Sequence, residues 1–259
     1  MSRDGKYIYC IIATRNECNF GEIGVGGKGN IVNSIGFEGL SMVVSDHRLN
    51  SIEVNSENIL AHQKVIEVVM SEYNSVIPVR FGTVAATPDE IRNLLDRRYA
   101  ELSELILRFE NKVEYNVKGI WKDMNFIYKE IDDKNLLLHQ LREDIERSTD
   151  TTIRESKILD ASGLIDENLK AMRVSAQEEL ESLLRKTTVG CKSNAISADA
   201  MFMNTAFLLN QGREKEFENI LTSYAELYPE KFDFIIAGPL PTFSFIDLHI
   251  LPEKWERND

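Results

Sequence analysis

Residues 133–186 contain no proline and a single glycine, Gly163, and they are densely charged. Proline and glycine are the residues that most often interrupt helices, so a stretch of this length favours long helices over strands. Apolar residues within it follow helical spacing in two sets: Leu138, Leu141 and Ile145, and then, in heptad-like spacing, Ile165, Leu169, Met172, Ala176 and Leu183. The pattern predicts two helices joined around residues 150–163 as an antiparallel hairpin; helices packed singly on a sheet are the alternative.

Strand-like and helix-like patterns alternate in the residues before this stretch. Strands are predicted at residues 7–13, 31–37, 40–45, 76–81 and 112–121, and helices at about residues 56–70 and 87–109. Glu38 and Gly39 are predicted to turn the second strand into the third. Thr87 followed by Pro88 is a typical helix start, because threonine caps a helix and proline suits its first turn. Such alternation is typical of a layered domain of strands and helices.

The last third of the chain returns to mixed structure. A strand is predicted at residues 201–209, a helix at 213–228 and a strand at 232–237, which Gly238 and Pro239 would end. Residues 243–250 alternate and predict a closing strand or an extended tail. The sequence thus predicts an α+β fold of two domains, residues 1–121 and residues 122–259. The second would contain the helical hairpin (about residues 133–186), a strand–helix–strand unit (about 201–246) and a C-terminal tail.

The charge of the chain excludes some classes of partner. The formal net charge is −12, of which −3 falls on residues 1–121 and −9 on residues 122–259. Nucleic acids and anionic membranes are bound through basic surfaces, so neither is expected as a partner. No apolar run approaches the roughly 18 residues of a membrane-spanning helix, and no secretion signal is evident. The three cysteines, Cys10, Cys18 and Cys191, are expected to be reduced thiols of a cytoplasmic protein.

The sequence shows no constellation of catalytic or metal-binding residues. Its four histidines, His47, His62, His139 and His249, have no partners at metal-binding spacing. The glycine-rich stretch at residues 21–29, with Gly24, Gly26, Gly27 and Gly29, is followed by a predicted strand. A phosphate-binding loop would need a helix there, so a flexible hairpin loop is the better interpretation. We therefore expect no enzymatic activity, no cofactor and no tightly bound metal.

Two short segments of the sequence are more distinctive than the general strand and helix patterns. Residues 77–83 have the sequence Ile-Pro-Val-Arg-Phe-Gly-Thr, and residues 238–245 have the sequence Gly-Pro-Leu-Pro-Thr-Phe-Ser-Phe. We call these the first and second motifs, and their candidate functional residues are Pro78, Arg80, Phe81, Gly82, Thr83, Gly238, Pro239, Pro241, Phe243 and Phe245. For Arg80, pairing with a carboxylate is favoured over a partner-binding role, because a buried guanidinium needs a partner. The prolines of the second motif most simply end a strand.

Both motifs resemble segments of the gas vesicle protein F/L family. In that family a strand ends in P-x-R-F-G-T, and the C-terminal strand ends in a run similar to G-P-W-P-P-Y-S-F. An aromatic-rich first strand, a charged strand at residues 113–118 and an apolar strand at 204–209 are similar to the family pattern too, and the matches fall in family order over about residues 7–245. The second motif departs at Leu240, Thr242 and Phe243, where the family usually has Trp, Pro and Tyr. A role that depends on that tryptophan is therefore not expected in this chain.

The resemblance implies both a fold and a function. The family fold has an N-terminal ferredoxin-like α+β domain and a C-terminal domain that combines a modified ferredoxin-like sheet with long helices. Family members are non-enzymatic accessory or minor structural proteins of gas vesicles in the cytoplasm. The resemblance implies that they bind the small, hydrophobic main shell protein, here through the N-terminal domain, and that they limit the aggregation of that protein during assembly. It also implies binding to other accessory gas vesicle proteins. The motif residues would then be structural or partner-binding.

Two other classes of protein stay open on the residues alone. One is a small-molecule-binding regulatory protein with tandem ferredoxin-like domains, whose pocket would contain the glycine-rich stretch or Arg80. The other is an enzyme whose site is assembled from scattered residues, because a fold class does not determine function.

Overall fold

A computed structural model of the protein describes residues 4–26, 30–48, 52–248 and 250. These residues form ten strands and seven helices, with the strands in two sheets. They divide into two compact units, unit 1 being Met1–Glu114 with Pro239–Asp259 and unit 2 being Tyr115–Gly238. The α+β class predicted from the sequence is confirmed.

The sheet of unit 1 is built around its first strand. Its strands are β1 (Asp4–Ile12), β2 (Asn19–Gly21), β3 (Val32–Phe37), β4 (Leu40–Arg48), β5 (Val76–Pro78) and β6 (Val84–Ala85). The order is β2-β3-β4-β1-β5, and β6 also pairs with β1. All these pairings are antiparallel. The hairpin predicted at Glu38 and Gly39 is confirmed, because Phe37 pairs with Leu40 across that turn.

Three helices belong to unit 1: α1 (Ser56–Glu72), α2 (Pro88–Arg97) and α3 (Tyr99–Arg108). The cap of α1 is Asn55, one residue before the predicted segment. Thr87 caps α2 as predicted, since its side chain accepts the Glu90 N–H. The single helix predicted to reach residue 109 is instead divided at Arg98, whose backbone leaves the helical region. On one side of the sheet, Tyr7, Tyr9 and Cys10 of β1 pack into a core with Val65 and Ile66 of α1.

Unit 2 contains the second sheet and the long helices. Its elements are β7 (Lys112–Trp121, which begins in unit 1), α4 (Met124–Lys134), α5 (Leu136–Arg147), α6 (Thr151–Leu184), β8 (Thr188–Ser193), β9 (Met201–Asn210), α7 (Glu214–Leu227) and β10 (Phe232–Leu240). The strand order is β10-β7-β9-β8. The sequence predicted β7 and β9 closely, but it gave no signal for β8.

The helical hairpin forms at a different place from the one predicted. Helices α5 and α6 pack on each other and are joined by residues 148–150. The predicted junction at residues 150–163 is therefore wrong, and Gly163 lies inside α6. The predicted seam is correct at Leu169 and Ala176, but it continues through Leu180 and Leu184, because the buried face follows the helix period. Leu183, which the heptad pattern included, is exposed.

The C-terminal residues also differ from the prediction. Strand β10 does not end at Gly238 and Pro239 but continues to Leu240, which is possible because β10 lies at the sheet edge, where proline is tolerated. Of the two alternatives predicted for residues 243–250, the closing strand is wrong, because residues 241–248 form no strand; His249 lies outside the described residues. Residues 239–250 fall in unit 1, whereas the predicted boundary at Trp121 placed them in the second domain. A division into two independently folding domains stays a prediction.

Within the described ranges, no helix combines the length and apolar character needed to cross a membrane.

Two glycines in open surroundings should respond to alanine with opposite signs. A Cβ at Gly163, inside α6, or at Gly212, at φ +91°, would meet no atom within 4 Å. In urea unfolding, we expect Gly163→Ala to stabilise the protein by roughly 0.5–1 kcal/mol, because alanine favours helix. Gly212→Ala should destabilise it by about 1 kcal/mol, because alanine resists positive φ. The same sign for both variants would contradict this account.

Candidate functional site

The first motif forms a tight turn. The Thr83 N–H donates to the Arg80 carbonyl at 3.3 Å, and the Thr83 hydroxyl donates to the same oxygen at 2.8 Å. Gly82, the third residue of the turn, has a φ of +88°. A type II turn requires positive φ at this position, where glycine is the least strained residue. The Arg-Phe-Gly-Thr sequence is therefore explained locally by the glycine that allows the turn and the threonine that closes it.

The turn interrupts a strand that follows β1. Pro78 pairs with Cys10 before the turn, and Val84 pairs with Tyr7 after it. At the two ends of the turn, the Val79 N–H donates to the Tyr9 carbonyl and the Thr83 carbonyl accepts the Ile8 N–H, both at 2.9 Å. The strand predicted over residues 76–81 thus ends at Pro78, and the chain rejoins the same edge of β1 as β6. This arrangement fixes the turn against the centre of the sheet.

Tyr7 of β1 connects the turn to helix α1. Its buried hydroxyl accepts the Gly82 N–H at 3.2 Å and lies 2.8 Å from Nδ1 of His62. The direction of the hydrogen bond between the hydroxyl and Nδ1 depends on the tautomer of the imidazole, because the hydroxyl oxygen can accept a second hydrogen bond beside the one from Gly82. Within the described residues, Nε2 makes no hydrogen bond of normal geometry.

The two motifs meet on His62. The ring of His62 lies 5.6 Å from that of Tyr7, 5.5 Å from that of Tyr9 and 5.6 Å from that of Phe81, measured between centroids. Phe243 of the second motif contacts the same imidazole at 6.4 Å. Phe81 and Phe243, which are far apart in the sequence, therefore pack on one histidine. We call these five rings the aromatic cluster.

A buried carboxylate fixes the second motif in place. Glu114, at the start of β7, is only 2% exposed. Its two oxygens accept the Ser244 N–H at 2.8 Å and the Ser244 hydroxyl at 2.6 Å. Next to Ser244, the Phe245 N–H donates to the Thr242 carbonyl at 3.1 Å and closes a turn. Because a buried polar group needs hydrogen-bond partners, Glu114 and Ser244 hold the turn that presents Phe243.

Burial controls the charge state of the aromatic cluster. Desolvation lowers the pKa of His62 to about 4, and the Val79 backbone opposes this only in part. Desolvation also raises the pKa values of the Tyr7 and Tyr9 hydroxyls above their ordinary range. All three groups are consequently uncharged at neutral pH. Phe243, which is 41% exposed, extends this neutral cluster to the surface, so the arrangement supplies an apolar contact surface.

The remaining motif residues lie apart from the aromatic cluster. Arg80 is exposed, and no carboxylate in the described part of the chain lies within ion-pair distance of it, so the pairing expected from the sequence is wrong. Gly238 lies in β10, where a Cβ would meet the ring of Tyr115 at 2.6 Å, so close packing requires glycine. Pro239 follows it in the same strand, and Pro241 is buried just beyond.

The glycine-rich stretch and the potential metal ligands do not form a further site in the described residues. Gly24 packs closely on the Asn30 carbonyl and the Tyr9 hydroxyl, which leaves no space for a Cβ. Gly27 and Gly29 lie outside the described residues, as does His249. No group of three or more His, Cys, Asp or Glu side chains that could hold a metal occurs within the described ranges.

Sequence reasoning missed the part played by His62, which it treated as one of four scattered histidines. The available signal was its position on α1, three residues after Ile59 and four before Ile66. That spacing places His62 on the apolar face of the helix.

Mild acidification should destabilise the protein through His62. Its pKa is about 4 in the folded chain against an ordinary 6.5, so its contribution is complete above pH 6.5 and is lost as the pH falls towards 4. We expect the free energy of unfolding to fall by roughly 2 kcal/mol between pH 7 and pH 5 because of this residue, at about 1.4 kcal/mol per pKa unit. In urea unfolding, His62→Phe should flatten this dependence, whereas His139→Phe, at an exposed histidine, should keep it. Equal slopes in the two variants would rule out His62 as the source.

Removing the Ser244 hydroxyl should weaken the second motif. Ser244→Ala leaves the buried Glu114 carboxylate without one of its donors, so we expect a loss of roughly 1–3 kcal/mol in thermal unfolding. The control Ser71→Ala removes an exposed hydroxyl bonded to the Val68 carbonyl and should change stability by less than about 0.5 kcal/mol. A Ser244→Ala variant as stable as the control would show that Glu114 does not hold the turn.

Comparison with known proteins gives this geometry a family context. The gas vesicle synthesis protein GvpL/GvpF family matches residues 5–247 of the chain. Gas vesicle protein L1 of Halobacterium salinarum is 22% identical over 258 residues, covering 93% of this chain and 90% of its own. Gas vesicle protein F of a Nostoc species is 25% identical over 199 residues, covering 76% of this chain and 78% of its own.

Solved structures share the fold. The crystal structure of gas vesicle protein GvpF from Anabaena sp. PCC7120 matches with a TM-score of 0.83 at 21% identity, covering 96% of this chain and all (100%) of that one. GvpF from Microcystis aeruginosa matches with a TM-score of 0.75 at 19% identity, covering 93% and 98%. The two sheets with their helices are consistent with the expected two-domain ferredoxin-like arrangement. Because the family match extends over nearly the whole chain, the protein belongs to the gas vesicle synthesis protein GvpL/GvpF family.

Proposed function

We propose that this protein is an accessory or minor structural protein of gas vesicles that binds the main shell protein. In this role it assists vesicle nucleation and assembly by limiting aggregation of the shell protein, and it acts at the gas vesicle in the cytoplasm, together with other accessory gas vesicle proteins. The observation that carries the proposal is the convergence of both family motifs on the aromatic cluster, which supports an exposed phenylalanine. An apolar contact surface suits a hydrophobic partner.

The main contact is proposed to lie in the N-terminal domain. Apolar side chains are exposed at the start of α1, and Phe243 packs on His62 of the same helix. We call Val54, Ile59, Leu60 and Phe243 the α1 patch. Residues 1–121, which contain Val54, Ile59 and Leu60, carry a formal charge of only −3, so little electrostatic cost opposes an apolar partner at these three side chains. Exposed apolar side chains of this kind commonly mark protein interaction sites.

The more acidic residues, 122–259, suit the role of keeping complexes with the shell protein in solution. Residues 122–259 carry a formal charge of −9. A strong net charge keeps complexes apart in solution, which would oppose coalescence of shell-protein complexes. Binding at the α1 patch and repulsion elsewhere are together what an assembly chaperone needs.

One observation favours the alternative of a small-molecule-binding regulatory protein. Unit 1 has a polar cleft of about 660 Å³ whose lining includes Lys6, Arg15 and Arg92. Neither Arg80 nor the glycine-rich stretch, the two pocket candidates from the sequence, lines it. The lining of the cleft is mostly polar, whereas most small-molecule sites are mostly apolar, and for this reason the alternative comes second.

Polar or charged substitutions in the α1 patch should disrupt shell-protein binding. The full chain would be co-expressed with the main shell protein and recovered by affinity purification. We expect Leu60→Glu and Phe243→Ser to reduce the co-purified shell protein at least fivefold, because they remove or charge exposed apolar contacts. The control Leu159→Glu alters a similarly exposed leucine of α6, 74% exposed against 64% for Leu60, and should have no effect.

Circular dichroism should show that all three variants are folded. Loss of binding in Leu159→Glu alone would move the contact to unit 2. No shell protein recovered with the unaltered chain under any solubilising condition would count against the proposed function itself.

A further inference from the structure

We propose that the outer edge of β10 binds an extended apolar segment of a partner protein by strand addition. This inference goes beyond the proposed function, since it uses a different surface and does not depend on the shell protein being the partner. The edge is the first strand in the order β10-β7-β9-β8, and among the described residues no strand pairs with its outer side.

Side chains on one face of β10 pack firmly on other elements of unit 2. Phe232 and Phe234 pack on Phe202 of β9, with ring centroids 5.0 and 6.0 Å apart, and on Tyr224 of α7, at 5.2 and 6.3 Å. A strand fixed in this way presents its outer N–H and C=O groups in a regular row. Such a row is a template for a further strand, whose main-chain hydrogen bonds supply affinity.

The centre of β10 carries none of the usual protection of an edge. Ile235, Ile236 and Ala237 are all exposed, and residues 234–238 contain no charge. Natural edge strands are normally short, bulged or interrupted by charged residues or proline, which prevents unwanted pairing. In β10 those features occur only at the ends, where Asp233 precedes the apolar centre and Pro239 follows it.

The other edge strands in the described residues are each short or carry a charge. At the opposite edge of the same sheet, β8 contains Lys192 and a register shift between Thr188 and Gly190. In unit 1, β2 and β5 have three residues each and β6 has two. The contrast within one chain indicates that β10 is left open for a partner.

Asp233 and Pro239 set the length of the docking segment. Proline has no N–H to donate, and a charge disfavours an apolar neighbour. About five residues, 234–238, therefore remain for pairing, or roughly 17 Å of extended chain at 3.4 Å per residue. The matching segment is short, β-forming and apolar.

Charge argues against a second copy of this chain as the occupant. Each copy carries a formal net charge of −12, so two copies repel each other. A partner segment that is uncharged or basic is not repelled in this way. We therefore assign the edge to a different protein with an apolar, neutral or basic strand.

A labelled peptide tests the assignment on the full chain. The probe is a fluorescein-labelled nonapeptide, Lys-Lys-Thr-Val-Ile-Val-Thr-Val-Gly, measured by fluorescence anisotropy. One control peptide has N-methyl groups on alternate backbone amides, and another has Glu in place of both Lys. We expect the probe to bind and the N-methylated peptide to bind at least tenfold more weakly, because it cannot complete the hydrogen bonds. The acidic peptide should also bind more weakly, because the chain repels it.

Matched protein variants locate the binding. Ile235→Lys on β10 should weaken probe binding at least tenfold, whereas Val189→Lys on β8 should not; the two side chains are 55% and 51% exposed. Amide hydrogen exchange should slow at residues 234–238 when the probe is bound. Equal binding of the N-methylated peptide, equal loss in both variants, or no binding of the probe would overturn the proposal. So would a dimer of the chain alone that Ile235→Lys abolishes, because the edge would then belong to a second copy.

Discussion

Unit 1 depends on the pairing of β1 with strands on both of its sides. One side pairs with β4 along most of its length, and the other pairs with β5 and β6, which flank the turn of the first motif. The side chains of Tyr7 and Tyr9 then enter the core beside α1. A central strand bonded on both edges has no freedom to shift, because a shift of one residue would move every core side chain to the opposite face. The aromatic cluster inherits its geometry from this strand.

The two family motifs act first as structural devices and only then as a surface. Gly82 allows the turn of the first motif, and Tyr7 fixes that turn by accepting the Gly82 N–H. The second motif is fixed by two hydrogen bonds to the buried carboxylate of Glu114. Both devices place a phenylalanine against His62, whose desolvation keeps it neutral. Phe243 reaches the surface from this rigid support, and it is the element that we propose contacts a hydrophobic partner.

The edge strands of the two sheets differ in how well they are protected against pairing with another chain. Most are short, charged or bulged, as expected of strands that must avoid pairing with other chains. Strand β10 is the exception, with an uncharged centre bounded by Asp233 and Pro239. The two proposed contacts would differ in the interaction that stabilises them. The α1 patch would bind its partner by burying apolar side chains, and the edge of β10 would bind its partner by main-chain hydrogen bonds.

The sequence by itself determined the fold class, most elements and the family. Strong local signals explain these successes: Thr87 and Pro88 start α2, Gly39 lies in the hairpin turn, and alternation marks β7. Local signals failed where a distant contact decides. Nothing near His62 shows that Phe243 packs on it, and nothing near Ser244 shows that Glu114 binds it. The membership of residues 239–250 in unit 1 and the openness of the β10 edge were likewise decided by tertiary structure. The physical reason is that hydrogen bonds to buried polar groups, ring contacts and strand order join residues far apart in the chain, whereas periodicity and capping report only on neighbours.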